Sequence, residues 1–512
     1  MDVWTAAQAR AVDRLSVAEH GISGRSLMEE AGRAVFRKIL SLRRPYQEIL
    51  ILAGPGNNGG DALVAARLLH AAGLTPQVFL VQEANKPEQE TPDRQWQRQS
   101  CEASGLRLET YAGRESFARF SRATLIVDGV LGLGVKGSLR PGQLAEALAS
   151  ARAIEAQLVL AIDLPSGLDA DRWDQEPPLP ATHTITFGAP KPVHLFSPRP
   201  SLGALSVVVI GFHPAAVAKA LAEGPLCASL DQAPKPWASL GPDAHKYTRG
   251  HLLIIGGSPG KGGAPLLAAE AALRCGAGWV SVAPLSEQQT PPLPAHFTYE
   301  SFARETALSW EACEAFLRAR RVKALLIGPG TMQNPCSPSF LQGLAAYAAS
   351  TGLFLVFDAG ALQDFAGRAA GLRFDPGRTL LTPHPGEWQA MAKEQPDLSS
   401  LEALEKAWDL TAALGVSVCY KSARPLTLSR SAGRSQLKLS PHGDQRLAKA
   451  GSGDLLAGAA LALGAAGLDA ALAAAYAQDL IARAAARASR TAGFHGLAPE
   501  DIAAALGPCL DA

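Results

Sequence analysis

Four short stretches hold residues whose types and spacing could do chemistry. In "AGPGNNGGDA", Ala53 to Ala62, four glycines, two asparagines and an aspartate interrupt a hydrophobic run. The glycines allow positive φ and close backbone approach, backbone amides at a helix start can face an anion, and Asp61 is placed to cap the helix that follows. The stretch is not the GxGxxG dinucleotide fingerprint and lacks the GK[ST] of a P-loop, so it reads as a phosphate cradle of neither familiar kind. In "LIVDGVLGLGVKGSLR", Asp128 closes a strand and Gly129, Gly132, Gly134 and Gly137 make a second flexible loop. In "LAIDLPSGLDAD", Asp163 closes another strand ahead of a turn at Pro165, Ser166 and Gly167. A lone Asp at a strand end is more often a turn residue than a catalyst, but two of them facing one glycine-rich loop point to a site. Oxygen donors from Asn, Asp and Ser suit a hard cation, and no His or Cys cluster suggests zinc.

The fourth stretch, "AKAGSGDLLAGAALALG", lies in the second half. Gly451, Ser452 and Gly453 at a helix start present amides to an anion, and Asp454 is positioned to activate a hydroxyl. An isolated GxGD is equally a capped glycine-rich turn, so its companions decide. A lone histidine such as His384 is usually structural, yet here prolines flank it and Gly386 and Glu387 follow.

The elements that must position these residues alternate along both halves. From Glu48 to Gly211 the runs "EILILAG", "PQVFLVQ", "ATLIVDG", "LVLAID", "HTITFG" and "ALSVVVIG" are separated by amphipathic segments, the pattern of βαβ units on a largely parallel sheet. Between Phe212 and His245 the pattern lapses into a proline-rich seam with no strong strand. Alternation restarts with "HLLIIGG", "WVSVA", "VKALLIGPG", "GLFLVFDAG", "TLLTPHP" and "VSVCYKS", and an Ala-rich helical region follows from Gly451. Two α/β domains are expected, 1–215 and 241–512, joined by a linker at 216–240. Parallel sheets bind ligands outside the carboxyl ends of their strands, where the three stretches of the first half lie.

Bulk properties narrow the ligand. At 512 residues the chain is too long for one ordinary core. With 48 basic against 47 acidic residues, nothing attracts nucleic acid or an anionic membrane, and a small molecule is the expected partner. Seven scattered cysteines with no CxxC pair argue against a disulfide framework or a zinc site. The start carries charges throughout with no apolar signal core, and the longest apolar run, Leu455 to Leu468, falls short of the roughly 20 residues a spanning helix needs. A cytoplasmic protein is expected.

Together, "LMEEAG", "GPGNNGGDALVAARLL", "VDGVLGLG", "AIDLPSGLDAD" and "FGAPKPVHLF" resemble the NAD(P)H-hydrate epimerase family over residues 1–215. The resemblance implies a Rossmann-like three-layer α/β/α domain in which Asn57, Asn58, Gly59, Gly60 and Asp61 bind the hydrated nucleotide. It further implies K+ ligands at Asn58, Asp128 and Ser166, a phosphate loop of Gly132, Leu133, Gly134, Val135, Lys136, Gly137 and Ser138, and a catalytic acid/base at Asp163. Glu30 stands where that family usually has Asn.

The second half, His245 to Leu510, carries "HKYTRGHLLIIGGSPGKGGAPLLAAEAALRCGAGWVSVA", "LLIGPGTM", "FDAGAL" and "LTPHPGEW" beside the GxGD element, and resembles the ADP-dependent NAD(P)H-hydrate dehydratase family. This implies a ribokinase-like α/β domain using ADP as phosphoryl donor with Mg2+. Substrate contacts would come from Ala264, Gly330, His384 and Asp454, with Asp454 catalytic. Nucleotide contacts would come from Gly453 and the loop Lys421, Ser422, Ala423, Arg424 and Pro425. Two departures stand out: the usual DADAL has Gly360 at its second acid, and the usual Lys-Gly-x-x-Thr loop reads Lys421 to Pro425, with one amide donor removed by proline. The resemblance also implies hydrated NADH and NADPH as substrates, no nucleic-acid or membrane partner, and a homo-oligomer. Two alternatives for the second half stay open at this point: a small-molecule kinase of the ribokinase class, and a nucleotide-binding module without turnover.

Overall fold

The computed structural model describes all residues except 44–47, 84–89, 198–200, 230–240, 242, 286–293, 301–302, 305–306, 333–334, 366–370, 393–397, 432, 440–443 and 512. The chain forms two compact units, Asp2–Gly224 with Ser399–Leu401, and Pro225–Leu398 with Glu402–Ala512 and Met1. Both are α/β, as expected.

In the first unit the chain runs outward from strand Ile49–Ala53 through Gln77–Leu80 to Leu108–Thr110. It then returns to lay Leu125–Gly129 on the other side of Ile49–Ala53, and continues through Leu158–Ile162 and His183–Phe187 to Ala204–Val208. Every pairing is parallel. Parallel strands are covered on both faces, which is why these runs read as unbroken apolar stretches. Ile49, Ile51 and Ala53 pack into one core with Leu27, Val35 and Leu63, while Leu50 and Leu52 enter the opposite core with Phe79, Phe117 and Leu148. The reversal of direction falls between Ile49–Ala53 and Leu125–Gly129, so the loops leaving these two strands diverge and open a crevice at their carboxyl ends.

The second unit repeats the plan. His251–Gly256 leads outward through Trp279–Pro284 to Thr298–Tyr299, and the chain then returns to place Val322–Ile327 on the other side of His251–Gly256. It continues through Phe354–Phe357 and Thr379–Leu381 to Ser417–Tyr420, all parallel. An antiparallel pair, Leu426–Ser431 and Arg434–Leu439, extends the sheet, and Leu226–Ser229 joins it parallel to the last. Helices Gly263–Arg274, Ser452–Ala465, Ala470–Ala492 and Pro499–Leu510 share one core with Leu252, Ile254, Leu326 and Val356. Gly458 permits the close approach of two of them, since a Cβ there would lie 2.0 Å from the Ala268 carbonyl oxygen.

The strands that the sequence does not announce have physical reasons for being hidden. Leu426–Ser431 and Arg434–Leu439 alternate leucine with polar residues, the mark of half-buried antiparallel strands and not of apolar parallel runs. Leu226–Ser229 lies inside the expected seam and is recruited by pairing with Gln436–Leu439. Helix Pro214–Ala222 also falls in that seam, whose residues 230–240 and 242 lie outside the described residues. All seven cysteines are buried and unbridged, and burial pushes the thiols of Cys101, Cys275, Cys313 and Cys419 up to about 12. Among the described residues no helix is long and apolar enough to cross a membrane.

Candidate active sites

The crevice of the first unit is built backbone against backbone. Gly54 N donates to Gly129 O at 3.0 Å, and a Cβ at Gly54 would sit 1.8 Å from the Val130 carbonyl oxygen, so only glycine fits. Helix Asn57–Ala71 starts almost at once, with Gly56 as N-cap and no side-chain cap. Asn57, Asn58, Gly59, Gly60 and Asp61 are therefore the opening residues of a helix, not a free loop. The expectation that Asp61 caps this helix is corrected: as its fifth residue Asp61 lies past the four amides a cap serves.

Asn58, Asp128 and Ser166 lie around the Leu131 backbone. Asp128 Oδ1 accepts from Ser166 Oγ at 2.6 Å and Val130 N at 3.2 Å, and its Oδ2 accepts from Ser166 N at 2.8 Å. Leu131 links the set, its amide donating to Ser166 Oγ at 2.7 Å and its carbonyl accepting from Asn58 Nδ2 at 3.0 Å. Burial pushes the Asp128 carboxyl up to about 6, against the pull of the Ser166 and Val130 hydrogen bonds. The following loop is pinned at Gly137, whose amide donates to Asp169 Oδ2 and whose carbonyl accepts from Gln175 Nε2, both at 2.8 Å. Leu133 O accepts from Arg10 Nη1, and Gly132 lies against the Asn58 side chain. Gly134, Lys136 and Ser138 are exposed and Val135 is half-buried.

Asp163 follows strand Leu158–Ile162 with φ +62°, in the left-handed region that Asp tolerates better than most residues. Its Oδ1 accepts from Thr186 Oγ1 at 2.8 Å and from Lys191 Nζ at 2.7 Å. The Lys191 ammonium, 2% exposed, also donates to Thr186 Oγ1 and Phe187 O. His194 completes the arrangement: its Nδ1 accepts from Lys191 N, which leaves Nε2–H to donate to the Asp163 carbonyl at 2.9 Å. Burial raises the Asp163 carboxyl, but Lys191 and the hydrogen bonds outweigh it and hold the group below its ordinary range. The same crevice thus holds one carboxylate kept ionised and another, Asp61, pushed well above its ordinary value by burial and by the charges of Asp163 and Asp13.

The second unit's crevice is also stitched by its loops. Gly257 N donates to Pro329 O and Ser258 N to Gly330 O, both at 2.9 Å, and Met332 N donates to Ser258 Oγ at 3.0 Å. Ala264, at the start of helix Gly263–Arg274, lies against Gly330, which has φ +67°. Asp358 closes strand Phe354–Phe357 and accepts from Thr382 Oγ1 at 2.7 Å and Lys421 Nζ at 2.6 Å. Lys421 also lies 3.9 Å from Glu387 and packs against Gly453. Helix Ser452–Ala465 has Gly451 as N-cap, φ +93°, with no side-chain cap, so Asp454 in its first turn is not the capping residue. Burial, then the negative charges of Asp358 and Glu387, push the Asp454 carboxyl up to about 7, with Lys421 pulling the other way.

His384 is exposed and serves its own turn: Nδ1 accepts from Gly386 N and Glu387 N, and Nε2 lies 3.3 Å from Glu387 Oε1. Ser422 Oγ donates to Arg424 O and accepts from Arg424 N, so the Lys421 to Pro425 loop closes on itself. A separate cavity of about 450 Å³ is lined by Asp444, Arg446, Arg483 and Phe494, among others. Arg446 pairs with Asp444 at 2.9 Å and lies over the Phe494 ring, and Arg483 pairs with Asp479 at 2.8 Å, so both guanidinium charges are met within the protein.

Residues 24–193 match the YjeF-related protein N-terminus family, and residues 252–507 match the NAD(P)H-hydrate dehydratase family. The bifunctional NAD(P)H-hydrate repair enzyme of Moorella thermoacetica is 34% identical over 97% of this chain and 94% of its own length. That of Coxiella burnetii is 32% identical over 97% and 96%. This chain belongs to the bifunctional NAD(P)H-hydrate repair enzyme family. Among solved structures, the ADP/ATP-dependent NAD(P)H-hydrate dehydratase of Bacillus subtilis, co-crystallised with ATP and Mg2+, aligns with 55% of this chain and 99% of its own at 25% identity, TM-score 0.44.

For a member of the bifunctional NAD(P)H-hydrate repair enzymes, the site residue that sequence reasoning leaves unassigned is Lys191. It stands in "FGAPKPVHLF", a lysine inside an apolar run, which burial obliges to find a carboxylate. Thr186 and His194 also go unassigned because nothing local shows which strand end they face. Gly360, where a repair enzyme of this family would by resemblance carry an acid, is packed tightly: a Cβ there would lie 2.1 Å from Met332 O and 2.5 Å from Thr331 Oγ1. Glu30 is exposed on helix Gly24–Leu42, 3.5 Å from Arg33.

Proposed function

We propose that the chain repairs hydrated NADH and NADPH, the first unit interconverting the R and S hydrates and the second removing water from the S hydrate in a step driven by ADP. The observation that carries this reading is that each sheet-reversal crevice holds a carboxyl group whose environment suits a proton transfer, with Asp163 held ionised by Lys191 and Asp454 pushed up to about 7.

In the hydrate a hydroxyl sits on the carbon next to the ring nitrogen, whose lone pair can expel it. The hydroxyl takes up a proton and departs as water, the planar cation that results accepts water on either face, and the Asp163 carboxylate takes the proton of the incoming water. Lys191 keeps that carboxylate ionised and, with Thr186, fixes its direction. Asn57 to Asp61 and the Gly132 to Ser138 loop would hold the ring and phosphates.

A potassium ion fits beside Asn58, Asp128 and Ser166: the donors are oxygens, and no basic side chain among the described residues bonds the buried Asp128 carboxyl. Its chemistry there would be counter-charge and loop positioning.

In the second unit Asp454 would take the proton from the ring hydroxyl as it attacks the terminal phosphoryl group of ADP, with the amides of 451–454 facing the transferred group. Phosphate then leaves where hydroxide could not, a ring proton is lost, and the dihydronicotinamide returns. Mg2+ would enter with the nucleotide as counter-charge for its phosphates.

The test is recovery of the reduced-nicotinamide absorbance when the full chain meets both hydrate epimers with ADP, Mg2+ and K+. Complete recovery is expected. Recovery that stops at the S fraction overturns the reading of the first unit, and no recovery overturns that of the second.

A further inference from the structure

We propose that Asp61 is a second catalytic residue of the first unit, acting as the proton donor opposite Asp163, so that epimerisation is shared between two carboxyl groups. This rests on the reading of that unit as an epimerase.

The argument begins with what Asp61 does not do. It does not cap its helix, and among the described residues its carboxyl makes no hydrogen bond and no ion pair. Asp61 is a half-buried residue whose carboxyl has no partner among the described residues, which leaves it free to meet a ligand. Its helix, Asn57–Ala71, leaves the carboxyl end of strand Ile49–Ala53, and Asp163 follows the carboxyl end of Leu158–Ile162, with Leu125–Gly129 the one strand between them, so both depart from the same edge of the sheet. The charged groups that face it are acidic. The charges near enough to act on it are Asp163 and Asp13, the latter from helix Ala6–Ala18 and itself acted on by Asp93. The nearby cations are committed elsewhere, Lys191 to Asp163 and Arg25 to Asp93 at 3.7 Å. Like charges without a cation favour a neutral Asp61, whereas Lys191 favours an ionised Asp163. Two titratable groups pushed in opposite directions across one crevice are the arrangement that divides acid from base.

The step then balances. The Asp61 carboxyl gives its proton to the ring hydroxyl, the carbon–oxygen bond breaks, and water leaves as the nitrogen lone pair forms the cationic carbon–nitrogen double bond. Water adds from the opposite face, a new carbon–oxygen bond forms, and its proton passes to the Asp163 carboxylate. The opposite epimer is processed in reverse, Asp163 then giving the proton and Asp61 receiving it. Each direction needs both groups.

The experiment measures epimer exchange in the full chain by chromatography of each pure hydrate, with no ADP, across pH. Asp61→Asn keeps size and polarity but carries no proton to give. It should slow exchange about 100-fold or more in both directions, with no loss of melting temperature. Asp13→Asn, outside the catalytic pair, removes a like charge. It should leave the maximal rate within about twofold while shifting the alkaline limb of the pH profile to lower pH, because Asp61 must be protonated to act. Exchange by Asp61→Asn within tenfold of the parent, or an alkaline limb unmoved in Asp13→Asn, overturns the proposal while leaving the epimerase reading intact. Absence of exchange in the parent chain overturns both.

Discussion

Asp163 and Asp128 are both buried carboxyl groups, and they respond oppositely to pH because only one has a cation. Asp163 is held below its ordinary range by Lys191, so the stability it contributes is present above the unfolded pKa and is lost as pH falls through the folded value. Replacing Lys191 by Met should destabilise the first unit by about 3–5 kcal/mol, because it strands a buried charge, and should abolish epimer exchange. Urea unfolding checks the first expectation, and adding Asp163→Asn to that variant should restore part of the stability but no activity. Asp128 is raised to about 6, so its burial costs on the order of 3 kcal/mol at neutral pH and that cost fades as pH falls through about 6. Potassium, compared with tetramethylammonium, should therefore raise the melting temperature most above pH 7 and least near pH 5. If Asp454 is the base of the second unit, dehydration should rise with pH through about 7 and vanish in Asp454→Asn; a flat profile would exclude that role.

At the scale of elements, both sites are strand–loop–helix junctions at the reversal of a sheet, and the glycines there are set by distance. Restoring an acid at the second position of the Asp358 turn by Gly360→Asp should cost stability, by about 2 kcal/mol or more, and should not improve dehydration, because its Cβ would fall 2.1 Å from Met332 O. Differential unfolding and initial rates test this together. Much of the framework is legible in the sequence: apolar runs of parallel strands announce themselves, and Asp128, Asp163 and Asp454 stand out because each lies at the end of a strand or opens a helix. What is not legible depends on pairing across sequence distance. Lys191 meets Asp163 28 residues away, Asp358 meets Lys421 63 residues away, and neither distance is written in a local pattern. The capping role expected of Asp61 fails for a related reason, since it turned on a helix starting after that residue and not at Asn57.

For the whole molecule, two units with separate cores imply separable activities. Asp163→Asn should still dehydrate the S hydrate, Asp454→Asn should still exchange epimers, and an equal mixture of the two variants should recover the reduced-nicotinamide band completely if epimers pass through solvent. Incomplete recovery in the mixture would count against free exchange. The buried cysteines add a different possibility. Of the seven, Cys101 alone lies within Asp2–Gly224, and the other six belong to the second unit. A thiol that is buried and raised to about 12 reacts with an alkylating reagent only when the surrounding structure opens. Peptide mass spectrometry after timed alkylation would thus read Cys101 as a built-in clock for opening of the first unit and Cys275, Cys313 and Cys419 as clocks for the second, with no engineered label in either.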